Sequence, residues 1–122
     1  MLNTDRAPRW VSRWFKGAAI YGAIALTASL LAPALPGAGR LPQLAFTLTA
    51  LAFQIVFWII GTAPVRHRAL MLAGVAEKLA FGVPALWLTA QGAADPAAAL
   101  FGTVDLILGA GFLLAWRATP RA

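Results

Sequence analysis

Two ionisable side chains of opposite sign, Glu77 and Lys78, stand side by side inside the apolar run LMLAGVAEKLAFGVPALW at 70–87. A second carboxylate, Asp105, interrupts the next apolar run, and Gln54 is the strongly polar residue inside the run before. Charged groups at mid-membrane cost roughly 2.5–3.5 kcal/mol each on insertion scales, so they are retained where they can be buried and paired. Two chemistries suit such a set. The plainer one is an ion pair and hydrogen bonds that fix helix order and register. The other makes Glu77 a titratable site on a proton or cation path, because Glu77, Lys78 and Asp105 sum to one net negative charge.

Geometry favours one pairing. Successive helical positions point about 100° apart, so Glu77 and Lys78 can straddle an interior without pointing at one another. Lys78 lies between Gly74 and Gly82, and Asp105 between Gly102 and Gly109, spacings that let neighbouring helices approach closely. Lys78 is therefore expected to pair with Asp105. Glu77 is left to Gln54, to Arg or His at the inner mouth, or to water. Counting about 1.5 Å per residue from the expected cytoplasmic ends, Gln54 and Glu77 lie roughly 10–12 Å deep, Lys78 about 13 Å, Thr27 about 15 Å and Asp105 about 16 Å. All four apolar runs thus offer a polar group to one layer.

Other chemistries lack their residues. The chain has no Cys, which excludes disulfides, thiolate metal sites, Fe–S clusters and thiol catalysis. His67 is the one histidine and sits between Arg66 and Arg68, a basic cluster at the cytoplasmic mouth with no metal-ligand spacing. Ser12 and Ser29 have no His partner within helical reach, and no Gly-rich phosphate loop follows a strand. An enzyme is not expected, nor a metal or cofactor.

The elements that must hold this layer are membrane spans. The 122 residues allow one domain, and 61% are hydrophobic against 11% charged. Soluble domains are about half apolar and about a quarter charged, and a core this small cannot hide such an excess. The net charge of +6 sits in the segments between apolar runs rather than along one folded face, so it suits anionic lipid headgroups and not nucleic acid. The apolar runs predict spans at 17–35, 43–61, 69–90 and 97–116, each long enough for a hydrocarbon core of roughly 30 Å. The fold class is an all-α integral membrane bundle of four transmembrane helices, up-down-up-down.

Residues 1–16 interleave Arg6, Arg9, Arg13 and Lys16 with Trp10, Val11, Trp14 and Phe15, which predicts an interfacial amphipathic segment with those four apolar residues in the acyl boundary. Residues 17–116 form the transmembrane domain, and 117–122 a basic tail. The basic start and the small residues at 32–34 also fit a cleavable signal peptide. A retained helix is the expectation. Helix breakers at 36–42 predict a tight turn, Pro84 a kink, and Asp95-Pro96 an N-cap and first-turn proline.

Orientation follows from Lys and Arg. The N-terminus, second loop and C-terminus hold eight, while the first and third loops hold only Arg40. Both termini are expected in the cytoplasm. Trp10, Trp14, Tyr21, Trp58 and Trp116 then fall near that face and Trp87 near the other. A faint repeat, F-x-x-V-x-x-I-x-G, occurs at 53–61 and 101–109, each time late in a helical hairpin.

The segments PVRHRALM at 64–71, EKLAF at 77–81 and FGTVDLILG at 101–109 resemble a pattern in small bacterial four-helix membrane proteins, loosely similar to DoxX-like proteins. That resemblance covers the second half of the chain and implies a multi-pass protein of the bacterial inner membrane. Small multidrug-resistance transporters share the length and helix count, but their acidic residue lies on the first helix, where this chain has none.

The leading functional expectation is a subunit, assembly or accessory factor of a membrane complex, or a homo-oligomer, acting through helix–helix contacts. It is motivated by the small-residue face Ala98, Gly102 and Gly109. The competing expectation is a proton- or cation-coupled transporter of small lipophilic or cationic solutes that uses Glu77 and Asp105.

Overall fold

A computed structural model describes residues 6–32 and 39–121. The chain forms helices α1 (Arg9–Leu30), α2 (Arg40–Thr62), α3 (Leu70–Ala90) and α4 (Pro96–Ala118). Positions 33–35 at the end of the first apolar run and positions 36–38 of the 36–42 turn lie outside the described residues, as do positions 1–5 and 122.

Local chemistry explains the helix ends. Asp95 Oδ1 accepts from the Ala97 amide at 2.9 Å with Pro96 in the first turn, so α4 starts as its sequence predicts. Helix α3 stops where Gly92 takes φ +71°, with Gly92 N–H donating to Thr89 and Ala93 N–H to Leu88. This paired closure consumes two carbonyls that the helix end leaves free, and it needs a residue without Cβ. Helix α3 continues on both sides of Pro84, whose exposed ring faces outward.

Helix α1 packs along α2 and α3 along α4, so the molecule is two antiparallel hairpins with lighter contact between them. The hairpins are joined at the end where α1 and α3 begin and α2 and α4 end. There Val11, Phe15, Phe57, Ile60, Met71, Phe112 and Ala115 form a fully buried cluster. The Phe15 and Phe112 rings stack with centroids 4.2 Å apart, and Phe57 tilts against Phe112 at 4.8 Å. Each hairpin donates aromatic rings to this plug.

Helix α1 departs from expectation. It runs unbroken from Arg9, with no boundary between an interfacial segment and a span at 16/17. Val11 and Phe15 are buried in the plug rather than laid against acyl chains. Trp14 turns inward as well, donating Nε1–H to the Leu108 carbonyl at 3.0 Å, while its ring fills the space a Gly111 side chain would need. The reason is continuity. Val11, Phe15, Ala18, Ala19 and Gly22 make one inward stripe at helical spacing, and Trp10, Arg9 and Arg13 are left outside.

Helices α2, α3 and α4 are long and apolar enough to cross a membrane. The outer surface carries Ile24, Ile55, Trp87, Leu100, Ile107 and Leu114, each more than half exposed. An apolar exterior of that extent marks contact with lipid or protein. The chain is an all-α membrane protein.

Candidate functional site

Beyond the plug, the space between the two hairpins is not filled. A cavity of about 380 Å³ opens there, lined from all four helices by Tyr21, Gly22 and Ser29 of α1, Phe46 and Gln54 of α2, Glu77, Lys78 and Phe81 of α3, and Phe101 and Asp105 of α4, among others. Gln54, Glu77, Lys78 and Asp105, picked from the sequence as one layer, thus meet at one cavity.

Lys78 is the centre of the layer. Only 3% of it is exposed, and its Nζ donates to Asp105 Oδ1 at 3.4 Å. It also stands 3.5 Å from Glu77 Oε2 and 5.2 Å from the centre of the Phe57 ring. The Lys78–Asp105 pairing agrees with expectation, and the isolation of Glu77 from Lys78 does not. The four-methylene lysine stem spans the angular offset between adjacent helical positions, so one ammonium serves both carboxylates. The Phe57 ring beneath it offers a favourable face to a cation and joins the layer to the plug.

Glycines set how close the helices come. A Cβ on Gly109 would lie 2.9 Å from Lys78 Cβ, and one on Gly102 would lie 2.9 Å from Ala85 Cβ. Gly82 likewise admits Leu106, and Gly74 admits Phe57 and Phe112. Gly102 and Gly109 are therefore occupied within the chain and are not free for a second one. The repeat motif gains a structural meaning here. Its final glycine seats a lysine stem in each hairpin, Gly61 against Lys16 and Gly109 against Lys78. Each lysine also has an α2 aromatic ring near its nitrogen, Trp58 at 5.3 Å from Lys16 and Phe57 at 5.2 Å from Lys78.

Gln54 is buried and donates Nε2–H to the Ala50 carbonyl one turn back at 2.8 Å. Its carboxamide rests on Gly22, where any Cβ would collide with it. Neither Gln54 Oε1 nor Glu77 Oε2 accepts a hydrogen bond among the described residues.

Two expectations about the layer are corrected. Thr27 faces outward, and α1 contributes Tyr21 and Ser29 instead. The run 17–35 is apolar or small on every side, so its sequence does not fix its rotation. Tyr21, read as part of an interfacial belt, lines the cavity. The phenylalanines at 46, 81 and 101 were also missed, because spacing alone does not separate a cavity-lining ring from a lipid-facing one. Rings 46 and 81 lie 5.7 Å apart, tilted by 37°.

The basic cluster does not converge. Arg68 Nε donates to the carbonyls of Trp116 and Thr119 at 3.1 and 2.8 Å, and its guanidinium lies 4.4 Å over the Trp116 ring. It is a clamp on the end of α4, satisfying carbonyls the helix leaves open and placing a cation at its negative end. Arg66 is exposed, and His67 makes no side-chain hydrogen bond among the described residues. No group of three His, Cys, Asp or Glu residues that could hold a metal occurs among the described residues.

Fold and site together define a class: a membrane protein of paired helical hairpins around an acidic cavity walled by aromatic rings. No protein-family model matches the chain, and no curated protein and no solved structure is similar to it.

Proposed function

We propose that this chain is a proton- or cation-coupled carrier of a small lipophilic or cationic solute, with Glu77 and Asp105 as its sites. The observation that carries the reading is that both carboxylates line the cavity, with Lys78 the one base among the described lining residues. A purely structural ion pair needs one acid for one base. The surplus charge in a confined space is what a proton or a cation neutralises, and intramembrane acids of this kind mark ion and proton paths. The Phe15–Phe57–Phe112 plug closes the cavity toward the end where the chain begins, giving the site one closed side.

In this reading α1 is a fourth span. Its 22 residues reach about 33 Å at about 1.5 Å per residue, and Arg9, Arg13 and Lys16 in its first turns extend to the headgroups. The Lys and Arg bias puts both termini in the cytoplasm. A bacterial inner membrane is the location this reading takes. A homo-oligomer is the fitting assembly, because four helices enclose little space for a passage.

The test is flux in reconstituted vesicles. The parent chain should move protons in response to a solute gradient above the level of empty vesicles, and Glu77→Gln should return flux to that level. A parent chain at the level of empty vesicles contradicts the reading.

A subunit or accessory role is the second reading. It is favoured by an apolar groove on the outer face of α1 and α2, floored by Ala19, Ala23 and Ala52 and flanked by Ile20, Ile55 and Trp58. Small residues between larger ones suit a partner helix. Purification in mild detergent as a lone monomer contradicts it.

A further inference from the structure

We propose that the cavity takes a protonated primary or secondary amine with a flat apolar body, its N–H end at Glu77 and Asp105 and its body among Phe46, Phe81 and Phe101. This deepens the carrier reading and rests on it only for the solute's passage, not for its binding.

Size comes first. The cavity of about 380 Å³ falls within the about 300–1,000 Å³ typical of small-molecule sites. Its charge then selects a monocation. With Glu77, Lys78 and Asp105 at its wall, one positive charge brings the sum to zero, whereas a neutral or anionic occupant leaves a buried surplus.

Hydrogen-bond inventory narrows the class further. Two carboxylates together offer roughly eight acceptor sites. Facing them, the Lys78 ammonium supplies three N–H groups, with one hydrogen bond to Asp105 and a 3.5 Å approach to Glu77. Gln54 directs one of its two amide N–H groups away, to Ala50, and its oxygen accepts nothing among the described residues. The Tyr21 and Ser29 hydroxyls and the second Gln54 N–H are the other side-chain donors among the described lining residues, fewer than the acceptor sites the two carboxylates leave open. The wall is rich in acceptors and poor in donors. A quaternary ammonium brings charge but no N–H, so it answers only half of the site. An N–H-bearing ammonium answers both.

The apolar half completes the fit. Phe46 and Phe81 form a tilted pair at 5.7 Å, and Phe101 lines the same cavity from α4. Such rings bury a flat apolar body and attract the adjoining positive charge through their faces.

The experiment is equilibrium binding to the purified full chain in lipid nanodiscs, by calorimetry and by competition against radiolabelled 2-phenylethylammonium. Competitors are its N,N,N-trimethyl analogue, which keeps the charge without N–H, and 2-phenylethanol, which keeps the body without the charge. The ammonium should bind at least tenfold more tightly than either. Glu77→Gln and Asp105→Asn should each weaken it at least tenfold, and Thr27→Ala, outside the cavity, should leave it unchanged. Because the order of three ligands is measured on the parent chain, a variant that fails to fold does not decide the outcome. A trimethyl analogue that binds equally well, or no ammonium binding by chain that elutes as a folded species, overturns the proposal. Ammonium binding in the expected order without flux contradicts the carrier reading alone. Flux of another solute without ammonium binding overturns the ligand class alone.

Discussion

Lys78 and Asp105 face each other across the α3–α4 hairpin, with the ammonium 3.4 Å from the carboxylate and Gly109 resting on the lysine stem. The same nitrogen stands 3.5 Å from Glu77. One buried cation thus holds two acids from two helices.

Removing that cation should be costly, and removing an acid should not. Breaking a buried pair by deleting one partner costs about 3–5 kcal/mol, since the other charge is left behind. Lys78→Met is expected to lower unfolding stability in mixed micelles by about that amount. Adding Asp105→Asn to it should restore at least half of the loss, and Glu77→Gln alone should leave stability nearly unchanged. Additive losses in the double variant contradict the shared-cation arrangement.

Gly22 and Gln54 make a second coupled pair. A Cβ on Gly22 collides with the Gln54 carboxamide, so Gly22→Ala should destabilise by about 1–3 kcal/mol, as overpacking does. Gln54→Ala should relieve it. Gly17, exposed in the same helix with open space around it, is the control. Gly17→Ala should be neutral or stabilise by up to about 1 kcal/mol through helix propensity. Equal responses at the two glycines count against this packing.

Trp14 tests the inward turn of early α1. Its hydrogen bond to Leu108 predicts a loss of about 0.5–1.5 kcal/mol for Trp14→Phe. Gly111→Ala meets the Trp14 ring and should cost more in the parent chain than beside Trp14→Ala. If the indole instead lay in the lipid interface, neither change would depend on the other.

Arg68 and Arg66 should differ sharply despite lying two residues apart. Loss of the Arg68 clamp exposes the Trp116 carbonyl of α4, the Thr119 carbonyl just past its end, and a tryptophan face. Arg68→Ala should therefore speed amide exchange over the last turn of α4, with a stability loss of about 1.5–3 kcal/mol for charge-assisted bonds. Arg68→Lys should recover little, because a lysine does not reproduce the planar fork. Arg66→Ala should change neither measurement.

What the sequence made legible follows from where its signals are local. The breaks at Gly39, Gly92 and Asp95-Pro96 fixed the ends of α2, α3 and α4 within a few residues, and depth along a helix brought Gln54, Glu77, Lys78 and Asp105 to one layer. Rotation about each axis was harder to read. Val11 and Phe15 announce an amphipathic helix, but an apolar stripe does not say whether lipid or a neighbouring helix covers it. Thr27 was misplaced for the same reason. Gly102 and Gly109 signalled the close approach that the expected Lys78–Asp105 pairing requires, and the fold shows that α3 takes up the face also read as free for a partner chain. The reach of Lys78 back to Glu77 depends on a side-chain conformation, which spacing does not encode.

The absence of cysteine makes the central claim directly measurable, because any introduced thiol reports alone. Ser29→Cys, Phe101→Cys and Asp105→Cys place thiols on the cavity, and Leu79→Cys and Ile107→Cys place them on the exposed apolar surface. Reaction with a small charged thiosulfonate in lipid vesicles should be fast at 29, 101 and 105 and slow at 79 and 107. Fast reaction at 79 and 107, with protection at 105, would mean that the acids face acyl chains and that no shared polar cavity exists.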